Sequence, residues 1–425
     1  MLRIIHFIIV ALYLLAPIAV IGWILLQRRR QDRVAARLAS LAVTFVAALA
    51  IAGSLCVIYA RATGGHVPLR QIALATYFAA GLLLILRGFD AGLLWTLRRA
   101  LRVHQPAPPT LWRGARLFAA LMTRALVLIV FGLPFVMAAV MTYRPKVLPN
   151  DNPRSQLGFA YERVEFAATD GTKLVGWWMP AEAPLPRRPR PDANWGRRTV
   201  IVCHGLASNK SNQLILSRAL VPGGFNVLAF DFRAHGESGG QTTSYGVREK
   251  HDVLGAVRWL RENRSEQSRE IFGVGASMGA VALIAAATDP SWEGQAIEAI
   301  ASYAAYDDLA ALTGDLTSFY FRPSLGWLVE RIGLPVAAMH AGADLVDFRP
   351  VDSVADFWPR PILFIHGRND EIIPFERGQS LRDAASQPRY HIWYPVGTHN
   401  DIVSDEAAAS IVVEFFRKAQ PFPVI

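Results

Sequence analysis

Cysteine is nearly absent from this 425-residue chain: there are two, Cys56 in an apolar run and Cys203 at the end of a predicted core strand. The two fall in different layers, so no disulfide is expected, and so few thiols leave the redox compartment open. No internal repeat is present, which excludes a repeat array. Acidic residues are scarce at the start. Positions 1–150 hold 2 Asp/Glu against 17 Lys/Arg, a net of +15, whereas the rest of the chain holds 32 against 27, a net of −5. A total of +10 would ordinarily suggest a nucleic-acid partner. Here the basic half is also the apolar half, so the charge reads as loops flanking membrane helices, and no nucleic-acid partner is expected. Charged residues make up only 18% of the chain against 52% hydrophobic, and the mean hydropathy is +0.25, high for a wholly soluble protein.

Four stretches approach the roughly 20 apolar residues that a membrane-spanning helix needs. They run over 4–26, 38–59, 72–97 and 117–143, and together make 1–143 a predicted membrane region with four transmembrane helices. The first is too long for a signal peptide, and no small-x-small cleavage site precedes its arginines. Loop one carries Arg28, Arg29, Arg30, Arg33 and Arg37, and loop three carries Arg98, Arg99, Arg102, Arg113 and Arg116, while loop two has only Arg61 and Arg70. The Lys/Arg bias puts loops one and three in the cytoplasm. Both termini then face outward. The expectation is an integral membrane protein, of a bacterial inner membrane on its Ala- and Arg-rich composition, with membrane lipids as neighbours and its C-terminal domain periplasmic or extracellular. Arg87, Asp90 and Arg124 are costly at membrane depth. Arg87 and Asp90 are three apart and can pair on one helix face, so snorkelling with a structural ion pair is one reading and a lipid-headgroup or partner contact the other. The spans hold too few facing polar residues for a pump or channel.

Composition changes at Tyr143. Residues 144–157 are polar and contain Pro145, Pro149 and Pro153, as a linker should. A hairpin pattern follows, with alternation over 163–166, an Asp170-Gly171 turn and a return over 174–178. An exposed loop is expected over 184–191. Beyond it come apolar strand-like runs at 199–203, 226–231, 270–274, 297–303, 361–366 and 390–394, with helical patterns between or after them, as at 246–263 and 404–418. Strand–helix alternation implies an α/β domain over 158–425 with a mostly parallel sheet covered on both faces.

Gly275-Ala276-Ser277-Met278-Gly279 directly follows one of these strands and precedes a small-residue helical run. A G-x-S-x-G at a strand-to-helix junction is the context of a nucleophile elbow: small neighbours permit the sharp turn, and the turn exposes the serine hydroxyl at the sheet edge. Gly275 and Gly279 would serve the turn and Ser277 the chemistry. A hydroxyl needs a base, and the base should follow late in the chain with an acid between. Of His340, His366, His391 and His399, only His399 sits in a loop after the last strand, in Pro395-Val396-Gly397-Thr398-His399. His391 is expected to point into packing, His366 to be structural and His340 to lie in a helical insertion. Asp370, in the loop after the preceding strand, is the acid that would orient the imidazole, with Glu371 its nearest rival. The backbone N–H groups of Leu206, in the loop opened by His204-Gly205, and of Met278 are the candidate oxyanion donors.

From about Tyr161 onward the chain resembles the α/β-hydrolase superfamily, and in particular its branch of serine-aminopeptidase-like, monoglyceride-lipase-like and membrane-tethered acyl-ester or thioester hydrolases. The matching residues are His204-Gly205, Asp231 to Ser238, Gly275 to Gly279, His366 to Asp370 and Gly397 to His399, in family order. Ala234 and Ala280 stand where relatives often have glycine, which bears on backbone fit. The resemblance implies a doubly wound α/β-hydrolase sheet, a small helical cap over about 303–347 and a structural role for 231–238. The cap's Phe319, Tyr320, Phe321 and Trp327 either line an apolar acyl pocket or simply pack. The reading that follows is a membrane-anchored serine hydrolase of a small-molecule or lipid-like ester or thioester, with no metal or organic cofactor. A peptidase of the same fold and a non-enzymatic membrane scaffold or sensor are the alternatives.

Overall fold

In a computed structural model, the described residues are 114, 118, 122, 125, 138–139, 141–143, 146–181, 194–320 and 329–419. The chain divides into two units, Met1–Leu133 and Pro134–Ile425. The described residues of the first are helical, with Phe118 and Met122, four apart, exposed on one face. The spans predicted over 4–26, 38–59 and 72–97 lie outside the described residues, as do Arg87, Asp90, Arg124, Cys56 and the loop over 184–191. Among the described residues no helix is long and apolar enough to cross a membrane.

The second unit is built on eight strands: β1 (Glu162–Ala167), β2 (Lys173–Met179), β3 (Arg198–Cys203), β4 (Asn226–Asp231), β5 (Glu270–Ala276), β6 (Ile297–Tyr303), β7 (Ile362–Gly367) and β8 (Arg389–Tyr394). Their order across the sheet is β1-β2-β4-β3-β5-β6-β7-β8. β1, β2 and β4 pair antiparallel and the remainder parallel. The continuous apolar runs of β3, β4 and β7 are buried along their whole length, as strands covered on both faces must be.

Helices α1 (Leu214–Leu220), α2 (Lys250–Asn263) and α3 (Met278–Ala287) follow β3, β4 and β5; α4 (Leu309–Tyr320) and α5 (Leu334–Ala341) follow β6; α6 (Phe375–Ala384) follows β7; α7 (His399–Val403) and α8 (Glu406–Lys418) follow β8. One apolar layer lies between the sheet and α2 and α3, the other between the sheet and α1 and α8. α8 shows how the second forms: Ala408, Ala409, Val412, Val413 and Phe416 recur at helical spacing and are buried, and Phe416 stacks on Phe272 of β5 with centroids 5.1 Å apart. Burying one such side chain is worth about 2–3 kcal/mol.

Three details depart from the sequence pattern. α2 begins at Lys250 rather than 246, because the buried carboxylate of Glu249 accepts from the backbone N–H of Ser244 and Gly246 and bends that stretch into a turn. His391, expected to pack, is exposed: β8 is the edge strand, and its outer start is only partly covered. The domain also reaches upstream of the proline-rich segment. Ala138 is buried in its core, Thr142 accepts from the Thr243 N–H, and Met141 accepts from the Tyr245 hydroxyl. The cap region begins with α4 and α5, whereas Phe321, Trp327 and Leu328 lie outside the described residues.

Candidate active site

The parallel strands end together at one edge of the sheet, where loops can combine residues remote in sequence. β5 ends at Ala276, and Ser277 turns the chain into α3 with φ 53° and ψ −122°, a conformation rarely adopted by residues other than glycine. The turn is fixed by its neighbours. A Cβ on Gly275 would lie 2.6 Å from Ala280 N, and one on Gly279 would lie 2.5 Å from the carbonyl oxygens of Cys203 and His204. Only glycine fits at either position. The Ser277 N–H donates to Tyr303 O of β6 at 2.8 Å, while the side chain makes no capping bond to α3 and is half-buried.

β7 lies two strands away, roughly 10 Å across the sheet. Its following loop carries Asp370, whose carboxylate is enclosed by donors. Oδ1 accepts the N–H of Ile372 at 3.0 Å and of Ile373 at 2.8 Å, and Oδ2 accepts Nδ1–H of His399 at 2.8 Å. Burial by itself pushes this carboxyl upward, but bonds from His366, His399 and the Ile373 N–H outweigh it and hold it well below the usual carboxylate range. Asp370 is therefore ionised at neutral pH. With Nδ1–H committed to it, His399 presents Nε2 as a proton acceptor.

The loop bearing His399 reaches inward because it packs on the loop after β7 at a glycine–glycine contact. A Cβ on Gly367 would lie 2.0 Å from Gly397 O, and Gly397 O also accepts from Asn369 N at 3.2 Å. His399 opens the short helix α7, so its position is set by a helix start and not by a free loop. Glu371, the rival acid, is exposed and accepts the backbone N–H of His399 at 3.4 Å, leaving the imidazole to Asp370. Ser277 Oγ and His399 Nε2 form no hydrogen bond among the described residues. Such bonds commonly tighten only when substrate is bound.

The two candidate oxyanion donors border the elbow. Met278 is the first residue of α3, and neither its N–H nor that of Leu206 is donated to an acceptor among the described residues. The Leu206 loop is tied down by two buried histidines. His204 contacts Gly205 O through Nδ1 at 2.7 Å and accepts the Phe232 N–H on Nε2 at 3.0 Å. His235 contacts Arg233 O at 2.8 Å and accepts the Ala207 N–H on Nε2 at 3.3 Å. Each imidazole thus binds the backbone of the other's loop, and the rings lie 5.0 Å apart.

The segment 231–238, for which the sequence suggested no chemical role, anchors these loops by charge. Asp231 is fully buried and accepts from Lys210 N, Lys210 Nζ and Glu237 N. Arg233 pairs with Asp252 and Asp170. Removing one partner of such a buried pair costs about 3–5 kcal/mol. Ala234, where relatives often carry glycine, sits at φ 61°, the left-handed conformation glycine adopts without strain. His366 and His340 also have definite places: the first is buried against Asp370, and the second stands edge-on to Tyr143 with centroids 5.7 Å apart.

A groove of about 760 Å³ borders the outer side of Asp370 and is lined by Asp307, Asp315, Arg368, Glu371, Phe375 and Arg377 among others. Among the described residues, neither Ser277 nor His399 lines it. Arg377 spans its wall to the cap, bonding Asp315 of α4 at 2.8 Å.

An eight-stranded, mostly parallel sheet with a nucleophile elbow after β5 and an Asp–His pair after β7 and β8 defines the α/β-hydrolase class. Residues 200–412 match the model of the alpha/beta hydrolase family, and the chain belongs to that family. It is 27% identical over 277 residues to the uncharacterized protein YfhR of Escherichia coli O157:H7, spanning 64% of this chain and 87% of that protein. It is 34% identical over 193 residues to the uncharacterized protein YqkD of Bacillus subtilis, 45% of this chain and 61% of that one. Among solved structures it is similar to the esterase Pf2001 of Pyrococcus furiosus, with 28% identity and a TM-score of 0.51 over 65% of this chain and 99% of the esterase.

Proposed function

We propose that the protein is a serine hydrolase that cleaves a carboxylic ester or thioester through an acyl-enzyme on Ser277. The observation that carries this reading is the 2.8 Å bond between His399 Nδ1 and the buried, ionised Asp370, formed at the edge where the elbow presents a serine hydroxyl not used as a helix cap. Ser277 Oγ attacks the carbonyl carbon while Nε2 of His399 takes its proton. The Leu206 and Met278 N–H groups receive the oxyanion. Collapse expels the alcohol or thiol, which takes the proton from His399. Water, deprotonated by the same nitrogen, then attacks the acyl-enzyme and frees the acid. The likeness to an esterase favours an ester over a peptide bond.

Incubation of the full chain with a fluorophosphonate probe and with p-nitrophenyl esters tests this. Ser277→Ala is expected to abolish labelling and to lower kcat by roughly four to six orders of magnitude. Labelling of the wild type no stronger than that of the variant would end the enzyme reading in favour of a scaffold or sensor. Faster turnover of aminoacyl-nitroanilides than of esters would favour the peptidase reading.

The apolar, basic first 143 residues support membrane anchoring, and the Lys/Arg bias supports a hydrolase domain outside the cytoplasm. A substrate with an acyl chain suits an enzyme fixed beside lipid. Alkaline phosphatase fused after Ile425 is expected to be active, and a green fluorescent protein fused there to be dark. The reverse pattern would place the domain in the cytoplasm.

A further inference from the structure

We propose that His366 is a positioning residue for the catalytic acid: its Nε2–H donates to the Asp370 carboxylate and thereby sets how firmly Asp370 holds the protonated form of His399. The proposal rests on the triad reading above and extends it by one residue that the reaction itself never touches.

His366 is the penultimate residue of β7 and is buried, as is Asp370 four positions on. Its Nε2 lies 3.0 Å from Ile373 O and 3.4 Å from Asp370 Oδ2. A carbonyl oxygen can only accept, so Nε2 carries the hydrogen; it is donated chiefly to Ile373 O, and the carboxylate is its longer, secondary acceptor. Oδ2 therefore has two imidazole donors, His399 on the reacting side and His366 behind it. The ring has little freedom to leave. Phe375 meets it edge-on with centroids 5.9 Å apart, and a Cβ on Gly378 of α6 would lie 2.1 Å from its Nδ1. Gly378 is thus the residue that makes room for His366.

The consequence is electrostatic. A carboxylate that shares its charge with more donors holds any one of them less strongly. Removing the His366 donor concentrates charge on Oδ2 and strengthens its grip on the His399 imidazolium formed during the reaction. Asp370 is held low by the His366 bond together with that of His399, against the upward effect of burial. The other charged groups around the pair are Arg368 over the Phe375 ring, Glu371 on the His399 N–H, Glu376, Arg377 with Asp307 and Asp315, and Asp401 on the Thr398 N–H. All of these remain in each variant below, so none accounts for a difference between them.

The test is the pH profile of kcat/KM for ester hydrolysis by the full chain, whose acid limb reports the base of the free enzyme. His366→Leu removes the donor and is expected to move that limb up by roughly half to one pH unit and to lower the plateau by roughly three- to tenfold. His366→Gln keeps an N–H donor near the position of Nε2 and is expected to retain the wild-type limb. Gly378→Ala, which must push the ring aside, is expected to move the limb in the same direction as leucine, and it decides the matter if the leucine variant does not fold. A limb left in place by both His366→Leu and Gly378→Ala, or moved as far by glutamine as by leucine, would overturn the proposal and leave His366 a packing residue. Failure of the triad reading has a different signature, namely retained turnover in Ser277→Ala.

Discussion

The reciprocal bonds of His204 and His235 work only while Nε2 of each ring is an acceptor. A proton there would set two N–H groups against each other, Nε2–H against the Phe232 N–H in one case and the Ala207 N–H in the other. Burial, reinforced by the neighbouring His235, lowers the His204 pKa to about 3. The sign follows from linkage. In the unfolded chain this histidine takes up a proton below about pH 6.5, whereas the folded protein refuses it until about pH 3. Its contribution to stability is therefore complete above pH 6.5 and is lost progressively as pH falls, at a slope approaching about 1.4 kcal/mol per pH unit. Asp370 adds to the loss only later, below the ordinary carboxylate value of 3.8. Urea midpoints measured between pH 7 and pH 4.5 are expected to fall more steeply for the wild type than for His204→Gln. Parallel slopes would show that the imidazole is not kept neutral by folding. Ser277, Asp370 and His399 stand out as candidates in the sequence because Ser277 directly follows β5 and the other two lie in the loops after β7 and β8, strands with their own hydrophobic signatures. The histidine clasp is not, since it joins loops 28 residues apart and depends on how β3 and β4 pair. The Lys210–Asp231 pair was hidden for the same reason, as was the second donor to the acid: His366 reads as the end of a buried run, and only its partner across the turn reveals more.

At the scale of elements, the strands that carry the site are the most legible part of the fold. β3 to β7 are near-continuous runs of Val, Ile, Phe, Leu and Ala because helices cover both faces, and a run of that kind has few other ways to be buried. Elements set by local capping were harder. The pattern Pro395-Val396-Gly397 signals a loop, yet the chain after Thr398 closes into a helical turn, with the Asp401 carboxylate accepting the Thr398 N–H at 3.3 Å. That turn matters to the site, because it holds His399, the candidate base, by its backbone. β8 keeps a strand's sequence but an edge strand's exposure, and no period-2 pattern distinguishes an edge from a centre. At the end of β6, Ala304 and Ala305 are both buried, and Ala304 at φ 46° donates its N–H to Ile365 O at 2.8 Å.

At the scale of the whole molecule, the hydrolase unit begins earlier than its composition suggests. Composition changes at Tyr143, which suggests that the hydrolase begins after the proline-rich stretch, near 158. The unit begins instead at Pro134, and the residues between touch several of the loops that build the site. Thr142 O accepts from Thr243, whose hydroxyl in turn contacts the sulfur of Met278 at 3.4 Å. Val147 O accepts from Asn209 Nδ2 at 3.1 Å, just beyond the Leu206 loop, and Lys146 donates to Ser238 O. Tyr143 packs against His340 on α5 of the cap. These bonds are individually modest, about 1 kcal/mol each, but together they brace both candidate oxyanion loops and the cap from one side. A chain starting at Pro134 is therefore expected to fold and to hydrolyse a p-nitrophenyl ester at a rate close to that of the full protein in detergent. A chain starting at Gly158 keeps every strand and all three candidate triad residues, and is expected to melt several degrees lower and to lose roughly tenfold or more in kcat/KM as the candidate oxyanion loops relax. Equal activity and Tm in the two fragments would show that residues 134–157 only connect the units. A loss confined to the shorter fragment would show that residues 134–157 belong to the working hydrolase unit.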